Sequence, residues 1–265
     1  MAQEDAVLVE RRGNVMIVTL NRPEARNACN EAVWIGGGKA LAEAERDVEV
    51  RAVIVTGAGD QSFCAGADLK AISRGERIVP EDPEQASWGF AGIVSHYISK
   101  PVIAAVNGTA LGGGTELALS CDLIVAADTA TFGLPEVKRG LLAGAGGAFR
   151  MVRQVPRKIG MELLLTGDAI SAARAQELGF VNRVVPREKL MEEALALAEK
   201  IAANAPLSVQ ASKRVALGIH GGTLPEEEPL WAHTREESGR VMTSEDAREG
   251  PRAFAEKRAP QWKGR

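Results

Sequence analysis

The chain has 265 residues and a formal net charge of −3, with 45% hydrophobic and 25% charged residues. This composition is typical of a globular protein with a substantial core, and the small charge gives no general attraction to nucleic acid or to an anionic membrane. No apolar run approaches the roughly 20 residues that span a bilayer, and residues 1–5 lack the features of a signal peptide. Three widely spaced cysteines and three isolated histidines disfavour a disulfide framework and a metal site, so we expect a cytoplasmic protein.

Strands and helices alternate through the amino-terminal part of the sequence. Segments 7–10 and 15–20 predict a β-hairpin, and Asn30 is a suitable cap for a helix that runs to about residue 47. Short runs of β-branched and small apolar residues indicate buried strands at 52–56, 102–106 and 123–127. The proline- and charge-rich stretch 73–87 predicts a mobile loop or a short irregular helix. Strands separated by helices predict right-handed crossovers and a parallel sheet.

The pattern becomes mostly helical towards the carboxyl end. Helices are predicted at 159–166, 172–178 and 188–204, with one more strand at 181–185. After a break at 204–206, the remaining patterns are helical, at 207–218, 226–242 and 245–257. We therefore predict an α/β core over residues 1–204 and a helical region over residues 205–265.

Two glycine-rich turns follow predicted strands, at residues 63–69 and 111–116. Small residues let a ligand approach the backbone, and the helix that begins at each turn has N–H groups without intrahelical partners. Two such helix ends that converge can stabilise one developing oxyanion. Either turn alone is also consistent with ordinary packing of a helix on a strand. The second turn differs in spacing from a dinucleotide-binding motif.

Two glutamates accompany these turns. Glu116 lies in the first turn of the helix after residues 111–115, and Glu136 follows a further strand, directly after Pro135. Each glutamate alone is explained by the helix dipole, which favours acidic side chains near a helix start. Together, beside exposed backbone N–H groups, they predict a site that adds water to a polarised double bond.

These residues resemble the enoyl-CoA hydratase/isomerase (crotonase) superfamily over nearly the full length of the chain. The similar segments are 21–24, 63–68, 101–108, 112–118, 121–122, 132–136, 144–147 and 253–258. The resemblance implies a crotonase-like ββα spiral core, of α/β class, with a carboxyl-terminal helical region that forms trimers. The expected assembly is a homotrimer or a hexamer built from two trimers.

The resemblance also implies roles for individual residues. In that superfamily, the N–H groups matching Ala67 and Gly113 form the oxyanion hole for a thioester carbonyl, while Glu116 activates water and Glu136 protonates the α-carbon. The implied nucleotide contacts are Arg22, Arg26, Ala65, Gly66 and Asp68 in the core, and Phe254 and Lys257 from a neighbouring subunit. Coenzyme A enters as part of the acyl-CoA substrate, so no separate cofactor and no metal are implied.

Relatives on this scaffold differ in their reactions. Because both glutamates are present, we favour an enoyl-CoA hydratase of lipid metabolism, which reversibly adds water to a 2-enoyl-CoA and gives a 3-hydroxyacyl-CoA. Residues 249–265 look especially like carnitinyl-CoA dehydratases, whose substrate bears a quaternary ammonium, and Trp88, Phe90 and Tyr97 are aromatic candidates to line its site. The alternatives are an enoyl-CoA isomerase and a non-catalytic acyl-CoA binder. The net charge disfavours RNA binding.

Overall fold

The computed structural model describes residues 5–265, so most of the segment expected to lack a signal peptide, residues 1–4, lies outside the described residues. The strands within this described range are, in chain order, β1 (Val7–Arg12), β2 (Val15–Leu20), β3 (Ala52–Gly57), β4 (Ser62–Cys64), β5 (Val102–Val106), β6 (Thr109–Leu111), β7 (Leu123–Ala127), β8 (Thr131–Gly133), β9 (Ile170–Ser171) and β10 (Arg183–Val185).

Eleven α-helices accompany the strands across residues 5–265. They are α1 (Glu31–Arg46), α2 (Leu69–Ser73), α3 (Pro83–Ser87), α4 (Gly113–Ser120), α5 (Gly147–Gln154), α6 (Arg157–Thr166), α7 (Ala172–Glu177), α8 (Leu190–Ala202), α9 (Pro206–Leu217), α10 (Glu228–Met242) and α11 (Glu245–Ala255). Short 3₁₀ helices lie at Pro23–Ala25, Phe90–Gly92, Pro135–Arg139 and Arg187–Lys189. No helix in residues 5–265 combines the length and the apolarity required to cross a membrane.

The strands form two sheets. The larger has the order β1-β2-β3-β5-β7-β10 and is parallel except at the β1–β2 hairpin. The smaller has the order β4-β6-β8-β9, with the first three strands parallel. The predicted hairpin, the parallel sheet and the three buried strands are confirmed. The smaller sheet was not predicted, because its strands have only two or three residues and lack a readable pattern.

The chain winds as a spiral, and each turn of this spiral adds one strand to the larger sheet and one to the smaller sheet. The pairs β3 and β4, β5 and β6, and β7 and β8 follow one another with only a short bend between them. Glycines make two of these bends: a Cβ on Gly57 would lie 2.5 Å from the carbonyl oxygen of Phe63, and one on Gly108 would lie 2.5 Å from that of Gln61. The expected ββα spiral is therefore present, and it brings the carboxyl ends of β4, β6 and β8 together.

Helix α1 forms where Asn30 predicted it. The Asn30 side chain accepts a hydrogen bond from Val33 N–H (3.1 Å), and the apolar side chains of Val33, Leu41 and Ala44 are fully buried. The glycines in the middle of the helix permit close packing, since a Cβ on Gly37 would lie 2.1 Å from the carbonyl oxygen of Ala91. The stretch 73–87 contains the end of α2 and the short helix α3, so the prediction of an irregular helix is correct in part.

The carboxyl-terminal helices are confirmed, and α11 packs onto the core of its own chain. Its Gly250 is so close to the 3₁₀ helix at Pro135–Arg139 that a Cβ there would lie 1.9 Å from the carbonyl oxygen of Arg139. A Cβ on Gly140 would lie 2.3 Å from the carbonyl oxygen of Asp246 in the opposite direction. The division at residues 204 and 205 stays a prediction.

Candidate active site

The first functional turn follows β4. Gly66 has φ +96°, a conformation that favours glycine, and a Cβ there would lie 3.0 Å from the carbonyl oxygen of Leu111. Cys29 pins the turn on both sides, because its N–H donates to Gly66 O (2.8 Å) and its carbonyl accepts from Asp68 N–H (2.9 Å). The intervening Ala67 N–H has no hydrogen-bond acceptor among residues 5–265. The turn therefore holds this donor in a fixed position without an internal acceptor in that range.

The second turn follows β6 and opens α4. Gly112 has φ +56°, and its N–H donates to Gly133 O on β8 (2.9 Å). Gly113 is the first residue of α4, so its N–H has no partner within the helix. The two turns are in contact, since a Cβ on Gly66 would lie 3.4 Å from Gly113 N. The donors predicted at Ala67 and Gly113 are therefore brought together, as an oxyanion hole requires.

Glu116 lies in the first turn of α4 and is 3% exposed. Its Oε1 accepts a hydrogen bond from Gly147 N–H at the start of α5 (2.8 Å). The neighbouring Thr115 fixes this turn, because its hydroxyl accepts from Gly133 N–H (3.0 Å) and its single proton lies between two acceptors, Ala110 O (2.8 Å) and Gly133 O (3.0 Å). Thr115 thus ties the helix that carries Glu116 to β6 and β8.

Glu136 lies in the 3₁₀ helix directly after β8, facing the second turn. Its Oε1 would be 3.0 Å from a Cβ on Gly112, so the absence of a side chain there makes room for the carboxyl group. Its Oε2 is buried and has no hydrogen-bond partner within the described part of the chain. A buried oxygen of this kind is available to a substrate.

Both carboxyl groups hold protons unusually tightly. Burial raises the pKa of Glu116, the nearby charge of Glu136 raises it further, and the N–H groups of Gly147 and Ala145 oppose the rise. Burial also raises the pKa of Glu136. Two carboxyls of raised pKa that share one pocket favour a state with a single proton between them, which provides one acid and one base at neutral pH.

The site residues thus come from three consecutive turns of the spiral. Ala67 follows β4, Gly113 and Glu116 follow β6, and Glu136 follows β8, all at the carboxyl ends of neighbouring parallel strands. This edge of a sheet is where α/β proteins usually bind their ligands. All four predicted catalytic positions therefore meet at one place.

Trp88, Phe90 and Tyr97, the aromatic candidates to line a site for a quaternary ammonium, lie in different environments. Phe90 packs directly over the oxyanion-hole turn, since a Cβ on Gly113 would lie 2.5 Å from its ring. Trp88 stacks on His96 (5.2 Å between ring centroids) and covers Gly38 of α1. Tyr97 is hydrogen-bonded to the carboxylate of Glu227. Of these three, Phe90 is the one in contact with a predicted site residue.

The predicted nucleotide contacts around residues 65–68 include an internal ion pair. Arg22 Nη2 lies 2.9 Å from Asp68 Oδ2, and Arg22 Nη1 donates to Ala28 O (2.6 Å), so both residues hold the turn together. Arg26 is exposed with φ +53°, and its carbonyl accepts from Ala65 N–H (3.1 Å). Arg26 is therefore better placed than Arg22 to meet a phosphate.

The carboxyl-terminal candidates lie on α11 and just beyond it. The Arg139 guanidinium stacks over the Phe254 ring at 4.1 Å, and Lys257 is exposed with φ +54°. Lys138, two residues after Glu136, pairs with Asp168 (Nζ to Oδ1, 2.6 Å). Nucleotide contacts from Phe254 and Lys257 stay a prediction. The described residues contain no group of three or more histidine, cysteine, aspartate or glutamate side chains suited to a metal ion.

Sequence reasoning missed one buried charged cluster next to the site. Arg150 on α5 pairs with Glu227, 77 residues away (Nη2 to Oε2, 2.7 Å), and both side chains are nearly inaccessible to solvent. Nothing local in the sequence links these two residues. A usable signal was Arg150 itself, an arginine one helical turn after Gly147 on the face that α5 buries.

Comparisons with known proteins agree with this geometry. Residues 10–265 match the family described as Enoyl-CoA hydratase/isomerase. A carnitinyl-CoA dehydratase from Salmonella typhi is 42% identical over 265 residues, covering 98% of this chain and 99% of the relative. Among solved structures, a carnitinyl-CoA hydratase from Mycobacterium avium is 61% identical (TM-score 0.97, covering 99% of this chain and 100% of that one), and an enoyl-CoA hydratase from Mycobacterium tuberculosis H37Rv is 47% identical (TM-score 0.77, 99% and 100%). The chain belongs to the enoyl-CoA hydratase/isomerase family.

Proposed function

We propose that the protein is a hydro-lyase that reversibly adds water to a 2-enoyl-CoA and forms a 3-hydroxyacyl-CoA. The observation that carries this proposal is the meeting of two buried carboxyl groups of raised pKa with two backbone N–H groups that lack internal acceptors. An isomerase needs one acid–base group, whereas addition of water uses one group for the water and one for the carbon.

The chemistry follows from the positions of the groups. Ala67 N–H and Gly113 N–H bind the thioester carbonyl oxygen and stabilise the negative charge that develops there. Glu116, as carboxylate, takes a proton from water while the water oxygen bonds to the β-carbon. The electrons of the double bond move towards the carbonyl oxygen and return when Glu136 donates its proton to the α-carbon. Coenzyme A is part of the substrate, so this reaction requires no separate cofactor.

The direct test is the loss of enoyl-thioester absorbance with crotonyl-CoA. We expect the wild type to turn over and both Glu116→Gln and Glu136→Gln to lose about 10²–10⁴-fold in kcat, the usual contribution of a general acid or base. Glu162→Gln, at an exposed position on α6, is the matched control and is expected to retain full activity. Full activity in Glu136→Gln would refute the assignment, and binding without turnover on every enoyl-CoA tried would favour an acyl-CoA binder.

A second candidate substrate is crotonobetainyl-CoA, because relatives 60–61% identical over nearly the whole chain are named for carnitinyl-CoA. A quaternary ammonium is usually held by aromatic rings or by an unpaired carboxylate. Phe90 offers an aromatic ring beside the oxyanion hole, while the carboxylate of Glu227 is already neutralised by Arg150. A kcat/KM for crotonobetainyl-CoA well above that for crotonyl-CoA would assign the cationic substrate, and the reverse ratio would assign the simple one.

We further infer that the protein assembles as a homotrimer or as a hexamer of two trimers. Helix α9 supports this inference, because it buries none of its residues in the chain and leaves Leu207 and Val215 78% and 83% exposed. Apolar side chains exposed to this extent on one helix are typical of a protein interface.

A cytoplasmic location is supported by the three cysteines, all of which are free thiols.

A further inference from the structure

Helix α5 connects the catalytic pocket to a buried arginine. Its first residue, Gly147, donates its N–H to Glu116, and Arg150 follows one turn later. Arg150 is 4% exposed, and its guanidinium donates to both carboxylate oxygens of Glu227 (Nε to Oε1, 3.1 Å; Nη2 to Oε2, 2.7 Å). The same Nη2 donates to the Tyr97 hydroxyl oxygen (2.8 Å) and to Val94 O (3.1 Å).

One nitrogen of this guanidinium is left unused. Arg150 Nη1 is buried without a hydrogen-bond partner within residues 5–265. It would lie 3.3 Å from a Cβ on Gly146, the residue that precedes the donor to Glu116. The rings of Trp231 and Phe149 enclose the cation, with centroids 5.4 Å and 5.6 Å from the guanidinium carbon. A cation in such a low-dielectric setting exerts a strong field on its neighbours.

We propose that Arg150 is a positioning residue that sets the ionisation of Glu116 from behind the Gly146–Gly147 turn, with Glu227 balancing its charge from the far side. The inference rests on the proposed function, in which Glu116 accepts a proton from water. It also gives the carboxyl-terminal region a part in the chemistry, since Glu227 is the residue that precedes α10.

The charges around both groups are consistent with this assignment. Glu116 faces Glu136 across the pocket, and the Arg150 cation is among the groups that oppose the rise of the pKa of Glu116. Burial disfavours the charge of Glu227, yet the hydrogen bonds from Arg150 hold the pKa of Glu227 below its usual value. Burial raises the pKa of the Tyr97 phenol to about 12, so the hydroxyl stays neutral at working pH.

The remaining titratable groups near Arg150 border a cavity of about 260 Å³ that none of the four catalytic positions lines. They are His96, Cys121, Asp122, Arg153 and Lys213. Asp122 and Lys213 neutralise one another (2.6 Å), and Arg153 is exposed to solvent. Burial lowers the pKa of His96 and raises that of Cys121, so both are neutral near pH 7. Arg150, whose charge Glu227 offsets in part, is therefore the nearby cation that solvent screens least from Glu116.

The test is the pH profile of kcat/KM for crotonyl-CoA, in which the acid limb reports the first ionisation of the Glu116–Glu136 pair. In Arg150→Met, we expect this limb to move to higher pH by about one unit, the lower end of what a nearby opposite charge produces. Arg150→Lys keeps the charge and is expected to restore the limb. Arg153→Met removes an exposed charge from the same helix and should leave the limb in place.

Glu227→Gln provides a test of the opposite sign. It leaves the Arg150 charge unbalanced, so the acid limb should move to lower pH, whereas a purely structural role would give equal losses of kcat with no movement. An unmoved limb in Arg150→Met, or movement of both variants in one direction, would overturn the proposal. If Arg150→Met does not fold, as judged by circular dichroism, the Glu227→Gln result decides alone.

A second measurement separates this inference from the proposed function. In protein labelled with ¹³C at glutamate carboxyls, the signal absent from Glu116→Gln identifies Glu116, and its titration gives the pKa of Glu116 without turnover. Movement of that pKa in Arg150→Met in a protein that hydrates no substrate would refute the function but support the inference. Normal turnover of crotonyl-CoA by the wild type, with no change in the pKa of Glu116 in Arg150→Met, would support the function but refute the inference.

Discussion

At the scale of single residues, two chemically identical side chains receive different environments. Glu116 accepts a hydrogen bond from Gly147 N–H, which favours its carboxylate, whereas Glu136 Oε2 is buried without a partner. A carboxylate held by a donor suits the group that takes a proton, and an unpartnered buried oxygen suits the group that carries one. The two glutamates therefore differ in the hydrogen bonds that they receive, which supports the base and acid roles proposed for them, although burial and the charge of Glu136 also raise the pKa of Glu116.

Both glutamates should make the protein less stable as the pH rises. Because burial raises both pKa values above the 4.5 of an unperturbed glutamate, ionisation opposes folding once the pH exceeds 4.5, and the opposition grows until the pH passes the folded values. We expect Glu116→Gln and Glu136→Gln to be more stable than wild type by about 1–3 kcal/mol at pH 8, since one pKa unit corresponds to about 1.4 kcal/mol. Calorimetry at pH 4, 6 and 8 tests this, and a gain that is as large at pH 4 would contradict it.

Substitutions of Arg22 and Arg26 should affect different properties, the stability for Arg22 and the binding of a CoA thioester for Arg26. We expect Arg26→Ala to raise the KM for a CoA thioester about three- to tenfold, the effect of losing roughly 1 kcal/mol of an exposed charge contact, without a change in Tm. The KM for the corresponding pantetheine thioester, which lacks the nucleotide, should not change. Arg22→Met breaks the buried pair with Asp68 and should lower the stability by about 3 kcal/mol. A raised KM for both thioesters in Arg26→Ala would remove Arg26 from the nucleotide site.

Residues were predictable from the sequence where the chemistry was local. Glu116 and Gly113 share one glycine-rich turn, so a short motif revealed both. The pairing of Arg22 with Asp68, 46 residues away, leaves no mark on the local pattern and was not predicted, while the nucleotide contact that the resemblance implies for Arg22 stays a prediction. Arg150 escaped notice for the same reason, since its partner Glu227 is brought to it by the return of the carboxyl-terminal helices.

At the scale of elements, the larger sheet was predictable and the smaller one was not. Strands β3, β5 and β7 are five- or six-residue runs of buried apolar residues, which local pattern identifies. Strands β4, β6, β8 and β9 have two or three residues each and depend on pairing with one another. Yet the candidate site residues directly follow the short strands β4, β6 and β8. The strands that are hardest to predict from sequence are therefore the ones that position the site.

The packing of α4 against β4 gives a sharp comparison between two glycines. A Cβ on Gly114 would lie 1.9 Å from the carbonyl oxygen of Cys64, so Gly114→Ala must push α4, which carries Gly113 and Glu116, away from β4. We expect it to lower the stability by about 3 kcal/mol, the upper end of the usual cost of overpacking, and to abolish turnover. Gly239→Ala, in the interior of α10 with open space around it, should instead stabilise by about 1 kcal/mol. Thermal unfolding and activity of both variants test this, and an active Gly114→Ala would contradict it.

At the scale of the whole molecule, the carboxyl-terminal helices were predicted as helices, but their contacts were not. Helix α11 packs through Gly250 on the 3₁₀ helix that carries Glu136, and the Arg150–Glu227 pair joins the start of α10 to α5. Both contacts are made within one chain. Sequence pattern reports the apolar face of a helix but not which distant surface it covers, so this arrangement could not be derived from the sequence.

The exposed apolar residues of α9 lead to a prediction about assembly. We expect the wild type to have the mass of a trimer or hexamer by light scattering, and Leu207→Glu or Val215→Glu to give a smaller species, because a charge buried in an interface without a partner is strongly unfavourable. Val48→Glu is the matched control, since Val48 is as exposed as Val215 but lies in the turn between α1 and β3. An unchanged mass for both α9 variants would place the interface elsewhere.

The packing of Glu136 against the bare backbone of Gly112 bears on how such a protein can diverge. Gly66, Gly112 and Gly114 are constrained by positive φ or by backbone contacts, so mutations there remove the scaffold for every reaction at once. The side chains at 116 and 136 are not part of that backbone frame, so the proposed oxyanion hole does not depend on which side chain stands at either position. A protein that keeps these glycines can therefore change its reaction through single substitutions at positions 116 and 136. We expect each such variant to fold and to bind a thioester.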